Sequence, residues 1–426
     1  MENTVLRIKK GVEISEFDDG EKTISYLICY NERYWKVSKL VYIVFKCIDG
    51  VKSVESIKKY LEDEYNYKID IDKLIEVIDI AFRKTGLLEG TEAVNERKRN
   101  KMLWGRISIF KPSFISKFRF LSKLFNKNIL PRFGIIILIW MLYILSNYSN
   151  NKVINEVLAL NFKELILCYS FIFLAGIIHE FGHSLSAMYF DSKPGNIGIG
   201  VYIIMPVMFS DVTDIWRLER KKRALVDLGG IYLQGVFLFF FYIINNIFLK
   251  SNLLNVAILV SAFQIVSNLN PFIKLDGYWL LVDYLGVVNI GQTVYELYKA
   301  VLLKLIKRKK EINILTKEKR RVIYIYSIFT IGFYVYFIRM ILDSIILAIK
   351  NVYTDILYLL NNGLNNTKLI DIFNYFSNRI TSFIVLIFTA RILISVFRIL
   401  GKVVIKLKAF YINKRNFNKY KEWVGE

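Results

Sequence analysis

Residues 176–185 read GIIHEFGHSL, an apolar run interrupted by two histidines and a glutamate. The chain has only two histidines in 426 residues, His179 and His183, and both stand here, four apart. On a helix that spacing brings both rings to one face, one turn apart, where they can grip a single ion. Glu180 stands beside them, suited to take a proton from a water on that ion. HExxH is the zincin signature, and its chemistry needs these residue types. Imidazoles hold zinc without neutralising it, zinc lowers the pKa of water to about 7, and the carboxylate serves as general base. The bland alternative is two core histidines in a span, against which a buried glutamate is costly unless it has a task.

Two histidines leave a catalytic zinc one protein ligand short. With no third histidine, that ligand must be Asp, Glu or Cys. The candidate is Asp276 in SNLNPFIKLDGYWLL, an acid inside a greasy segment. It follows Pro271, which breaks a helix, and precedes Gly277, which permits close approach. Pairing of Asp276 with Lys274 is the alternative, although acids within a membrane are by default functional. Asp211 or Asp214 in FSDVTD is the fallback ligand.

These residues must be positioned by the rest of the chain, and composition bounds what that is. Hydrophobic residues make up 54% and aromatics 15%, too greasy for an ordinary soluble domain. The formal net charge of +22 fits either nucleic-acid binding or the cytoplasmic loops of a membrane protein, and the long apolar runs favour the membrane. Cys29, Cys47 and Cys168 form no CxxC and no disulfide framework. The opening MENTVLRIKK lacks the apolar core of a signal peptide, so everything before Phe133 is expected to be cytosolic.

Six membrane spans are expected, at about 133–149, 164–190, 224–249, 253–286, 322–349 and 381–400, each near or above the roughly 20 residues that cross the hydrocarbon. WRLERKKR after the second span, KAVLLKLIKRKKEINILTKEKRR after the fourth and the basic tail after Gly401 mark the cytoplasmic side. The expectation is a multi-pass protein of the cell membrane with both termini cytoplasmic. His179 and Asp276 then fall in the inner halves of parallel spans, at matching depth. Between spans two and three, NIGIGVYIIMPVMFSDVTDIWRL is too short to cross. It reads as a hairpin dipping into the membrane, whose edge could hold a substrate as an added strand, or as a plain loop packed on the bundle.

Residues 1–92 read as a small soluble domain. GVEISEFDDGEKTISYLICY alternates on either side of Asp-Gly, a hairpin signal, and YWKVS is a third strand. Three amphipathic helices follow, with Ser or Asp at their starts and Gly near two of the ends. Residues 93–132 form a basic connector, in which SFISKFRFLSKLF reads as a surface helix at the membrane or as a solvated linker. A 133–400 membrane core and a 401–426 basic tail complete the division. The expected fold class is mainly α, a polytopic bundle of about six transmembrane helices with a small N-terminal α+β winged-helix-like domain.

HEFGH in one span with NLNPFIKLDG in a later one resembles the site-2 protease family of intramembrane zinc metalloproteases, over roughly residues 164–286. The resemblance implies that His179, His183 and Asp276 are zinc ligands and Glu180 the catalytic base. It implies that Asn268 holds substrate backbone and that Pro271 matches the family proline. The family's A-G-P-x-x-N stretch appears as GGIYLQ, with Gln234 where Asn is usual, a departure at the substrate clamp. The front domain is similar to PqqD-type recognition domains, which bind the leaders of ribosomally made, modified peptides at a strand edge. That implies a peptide surface at Tyr34, Trp35, Lys36, Val37 and Ser38 and on the third helix, about Asp72–Thr85. A DNA-bound winged helix is the alternative, but IDIDKLIEVIDIAFRK is too acidic and apolar to be a recognition helix.

Together these resemblances imply a zinc metalloendopeptidase acting on a precursor peptide, removing its leader or maturing it before export. The implied partners are that peptide and the lipid bilayer, with a peptide-modifying enzyme and an exporter beside them and no nucleic acid. Two other readings are a non-proteolytic receptor or export partner and a regulatory protease cutting a membrane-anchored anti-sigma factor. The full set of zinc-site residues speaks against the first, and the type of front domain against the second.

Overall fold

The computed structural model describes residues 5–19, 24–31, 33–92, 103–147, 162–202, 205–287, 290–305 and 317–362. The chain divides into two units, Met1–Ile323 and Tyr324–Glu426.

At the front, β1 (Glu13–Phe17), β2 (Ser25–Tyr30) and β3 (Arg33–Val37) form an antiparallel meander in the order β1-β2-β3. Three helices follow, α1 (Lys39–Cys47), α2 (Val54–Tyr65) and α3 (Ile71–Ile78), the last running on through a π turn at Asp79–Arg83. Ser38 and Ser53 cap α1 and α2 by accepting from the Val41 and Ser56 amides. Side chains alternate across the sheet. Ile28 packs with Ile43, Val44, Ile57, Leu74 and Phe82 on the helical side, whereas Phe17, Leu27 and Tyr34 form a cluster on the opposite face. Both faces of β2 are therefore covered, and its apolar run SYLICY, apolar at both parities, suits that burial.

The expected connector contains a strand as well as a helix. β4 (Leu103–Phe110) pairs antiparallel with β5 (Ile197–Tyr202), which pairs with β6 (Met205–Ser210), giving a second sheet ordered β4-β5-β6. The segment expected to dip as a two-stranded hairpin is thus completed by a strand from some 90 residues earlier, a long-range pairing that local pattern does not announce. After β4, a short helix, α4 (Pro112–Ile115), runs into a 3-10 stretch at Ser116–Phe125. Phe110 and Phe118 hold Phe181 between them at ring distances of 5.3 and 5.7 Å, which seats this segment against the HEFGH helix.

The core is built on α5 (Leu130–Asn147), α6 (Phe162–Tyr189), α7 (Arg220–Asp227), α8 (Gly229–Ile244), α9 (Asn252–Asn268) and α10 (Asp276–Leu285), followed by α11 (Ile290–Leu305). α5 buries Ile137, Trp140, Met141 and Ile144, a helical stripe, against α8 and leaves Ile135, Leu138, Ile139 and Leu142 exposed on its other side. α12 (Lys317–Asn362) supplies the described part of the second unit, where Ile328, Phe329, Val335 and Tyr336 are exposed.

Three helical stretches among the described residues are long and apolar enough to cross a membrane: Lys163–Tyr189, Arg220–Leu249 and Glu318–Leu347. Pro112–Phe125 with Leu130–Ser146 would make a fourth only as one span bent by 84°. The expected fourth span, 253–286, is not one helix. It breaks between α9 and α10, where Pro271 lacks an amide donor, Asn270 accepts from the Phe272 amide, and Gly277 abuts the carbonyl of Leu269. Six crossings are therefore not shown, and the expected span at 381–400 and the basic tail lie outside the described residues.

Candidate metal centre

α6 is apolar almost all round, and its 28 residues make a rod of about 42 Å. His179 and His183 lie in its C-terminal half, both buried, on the face turned to α8. Two helices can approach this closely because glycine meets glycine. A Cβ on Gly182 would strike the Gly229 carbonyl oxygen and approach the Gly230 Cα to 2.8 Å. A Cβ on Gly230 would run into His183 Nε2 and stand 2.7 Å from His179 Nε2. Glycine at 230 thus keeps open the space immediately in front of the two imidazole nitrogens.

Asp276 reaches the same space from the first residue of α10. Its Oδ2 lies 2.9 Å from His179 Nε2 and its Oδ1 3.5 Å from His183 Nε2, and the two Nε2 atoms are 3.1 Å apart. Among the described residues these three are the group whose donor atoms could share one ion. Gly277 lets α10 start there, because any Cβ would collide with the backbone of Leu269 at the end of α9.

The outer nitrogens decide what the inner ones can do. His183 Nδ1 donates to the Val226 carbonyl at 2.8 Å, and His179 Nδ1 donates to Gln234 Oε1 at 3.0 Å. In a neutral ring with its proton on Nδ1, Nε2 carries a bare lone pair. The Asp276 Oδ2 is buried, and with both rings neutral, as metal ligation requires, its close approach to His179 sets lone pair toward lone pair. Three acceptors converging with no proton between them are costly unless a cation occupies the middle. Tetrahedral zinc, at about 2.0–2.1 Å from each donor, needs donors roughly 3.3 Å apart. The 3.1 Å between the two imidazole nitrogens, the carboxylate against both and the orphaned oxygen suit such an ion.

Glu180, half-buried, is the next residue along α6 from His179 and lines the same cavity, about 1700 Å³ in volume. β6 forms one wall through Val207, Met208, Phe209 and Ser210, and Met208 presses on Gly176, one turn before His179 and Glu180. Asn268, at the end of α9, lines the cavity too, and Pro271 sits half-buried in the α9–α10 turn.

The fallback ligands do other work. Asp211 accepts from the Thr213 amide and hydroxyl. Asp214 accepts from Tyr34 Oη at 2.8 Å, from Ser192 Oγ, from the Lys193 amide and from Arg217. Burial pushes the Asp214 carboxyl up, but those four donors hold it below its ordinary value. Burial, and then the bond to Asp214, push the Tyr34 hydroxyl far up.

The strand residues 34–38 do not line the cavity of the metal ligands. Tyr34 docks on Asp214, Trp35 packs into the front core, and Lys36 pairs with Asp19 at 2.7 Å. Val37 packs against the same core, and Ser38 caps α1. β3 pairs only with β2 among the described residues, so its outer backbone edge is open.

Sequence reasoning missed Gln234 as a partner of His179, the Val226 carbonyl and the space kept by Gly230. It also missed Arg223, hidden inside WRLERKKR among basic residues that read as a cytoplasmic loop. Arg223 is 2% exposed and binds Asp283 Oδ1 at 2.7 Å. Asp283 was the available signal, an acid in an apolar helix seven residues after Asp276.

No family model matches the chain, and no solved structure does. It is 21% identical over 170 residues, 39% of this chain and 68% of the relative, to a Bacillus subtilis (strain 168) protein named "Putative peptide zinc metalloprotease protein YydH". This chain is thus similar to a protein named for peptide cleavage with zinc, and it carries in its core a His-His-Asp group able to hold that metal.

Proposed function

We propose that this chain is an intramembrane zinc metallopeptidase that hydrolyses a peptide bond in a ribosomally made precursor peptide, removing a leader or maturing the peptide before export. The observation that carries the reading is the convergence of His179, His183 and Asp276, whose ligand atoms lie within 4.8 Å of one another, beside Glu180 in one cavity. The similarity to a protein named a peptide zinc metalloprotease supports a peptidase.

Zinc, when bound, supplies a Lewis acid that polarises the scissile carbonyl and acidifies water. Glu180 takes a proton from the attacking water and delivers it to the leaving nitrogen as the C–N bond breaks, so water adds across the peptide bond to give a carboxylate and an amine. The outer edge of β6 pairs with the substrate as an added strand, presenting an extended backbone to the cavity. Asn268 holds that backbone from the α9 side, with Pro271 shaping the turn behind it. Gln234 has a different task from the family's Asn, because its amide oxygen is committed to His179. The open edge of β3, from Tyr34 to Ser38, receives the leader through main-chain bonds, as the PqqD-like pattern implies. Both termini face the cytoplasm, with a peptide-modifying enzyme and an exporter as partners at that surface.

The test is co-expression of the full chain with small precursor peptides encoded beside it, with mass spectrometry of the products. Cleavage by wild type and none by Glu180→Gln, with equal zinc content, is the expected result. Equal cleavage by both proteins would overturn the mechanism.

A further inference from the structure

Arg223 lies where three parts of the first unit meet. Its Nε donates to Asp283 Oδ1 at 2.7 Å, Nη1 donates to the Leu218 carbonyl at 2.8 Å and Nη2 to the Asp18 carbonyl at 3.0 Å. The guanidinium stacks 5.1 Å from the Phe17 ring and 5.7 Å from Trp216. A fully buried arginine is costly unless its donors are used, and here the front sheet supplies part of its cover.

What it joins is specific to the metal centre. Arg223 is on α7, one turn before Val226, whose carbonyl fixes the His183 ring. Asp283 is on α10, seven residues after Asp276 and therefore on the same helical face, about 10 Å along. The Arg223–Asp283 pair thus clamps the helix that orients one ligand to the helix that carries another. Phe17 and Asp18, from the front sheet, close over the clamp.

We infer that Arg223 is a positioning residue through which the docked front sheet sets the geometry of the His179–His183–Asp276 group. The inference rests on the zinc reading of that group. It adds to the expectation that residues 1–92 bind a leader peptide, because the same residues cover a charge that joins the helices of the site.

Zinc affinity of the purified full chain, read by chelator competition, tests it, together with the visible spectrum of the cobalt-substituted protein. Arg223→Lys keeps the charge and loses the fork, and Phe17→Ala, in the front sheet, removes cover while leaving Arg223 and Asp283 in place. Supports to metal ligands are worth about 10–100-fold in affinity. The zinc dissociation constant is expected to rise about 10-fold or more in Arg223→Lys and by a smaller factor in Phe17→Ala, with a shifted cobalt spectrum in both. Wild-type zinc affinity and an unshifted spectrum in the folded variants, with only a lower Tm, would overturn it. If Arg223→Lys does not fold, Phe17→Ala decides by the same readouts. Wild-type protein that binds no zinc overturns the metal reading itself, and the inference with it.

Discussion

Asp276 and Asp214 are both largely buried acids, and both are candidate zinc ligands by sequence. Their environments differ in the direction of the hydrogen atoms. Around Asp214 every neighbour brings a donor: the Tyr34 and Ser192 hydroxyls, the Lys193 amide and the Arg217 guanidinium. Around Asp276 the neighbours are two imidazole nitrogens, on rings whose Nδ1 atoms are turned to Gln234 and Val226. A saturated carboxylate is a structural joint. A carboxylate set against two imidazole nitrogens is a candidate ligand, so the distinction between scaffold and candidate site lies in the kind of partners each acid meets.

The largest effect expected from this contrast is on metal content. Asp276→Asn keeps the shape and adds donors, and it should cost the protein its stoichiometric zinc and all activity. Asp214→Asn should leave zinc at about one per chain. Metal analysis of the two purified variants checks both, and a zinc-free Asp214→Asn would break the comparison. Next comes Glu180→Gln, which keeps all three ligands and should retain zinc while losing about 10²–10⁴-fold in cleavage rate.

Gln234→Leu removes the acceptor for His179 Nδ1 and frees that ring to change tautomer. Its zinc affinity should fall about 10–100-fold, measured by competition with a chelator, with the fold retained. Unchanged affinity would show that the bond to Gln234 is incidental.

The smallest effect belongs to the saturated joint. Tyr34→Phe should weaken docking of the front sheet by about 1–2 kcal/mol without altering zinc content. The pH dependence follows from the carboxyl. Asp214 is held below its ordinary 3.8, so its contribution is complete above that value and is lost as pH falls through the depressed folded value. Hydrogen exchange of β3 amides should therefore quicken as pH drops below about 4, after correction for the intrinsic rate. The same acceleration in an Asp214→Asn protein would assign it to another group.

The front sheet was legible in part. Asp-Gly, the alternation before it and the Ser caps marked strands and helix starts, because those signals are local. The second face of β2 was not read, since burial there depends on Trp216, nearly 200 residues on. Likewise 253–286 was expected to be a single crossing on hydropathy, while Pro271 and the Gly277 contact divide it.

Sequence alone determined His179, Glu180 and His183 as a chemical group, because 3.6 residues per turn fixes the relation of residues four apart whatever surrounds them. It also brought forward Asp276, because an acid is expensive in apolar surroundings. It put Asp276 ahead of Asp211 and Asp214 but could not reveal the partners that separate them, nor that Gln234 turns to His179, that Gly230 leaves the gap, or that one arginine of a basic run is buried. Those depend on groups some 40 to 200 residues apart meeting at hydrogen-bond distance. Lone-pair direction and burial belong to the partners that tertiary packing supplies, and spacing along the chain carries no record of them.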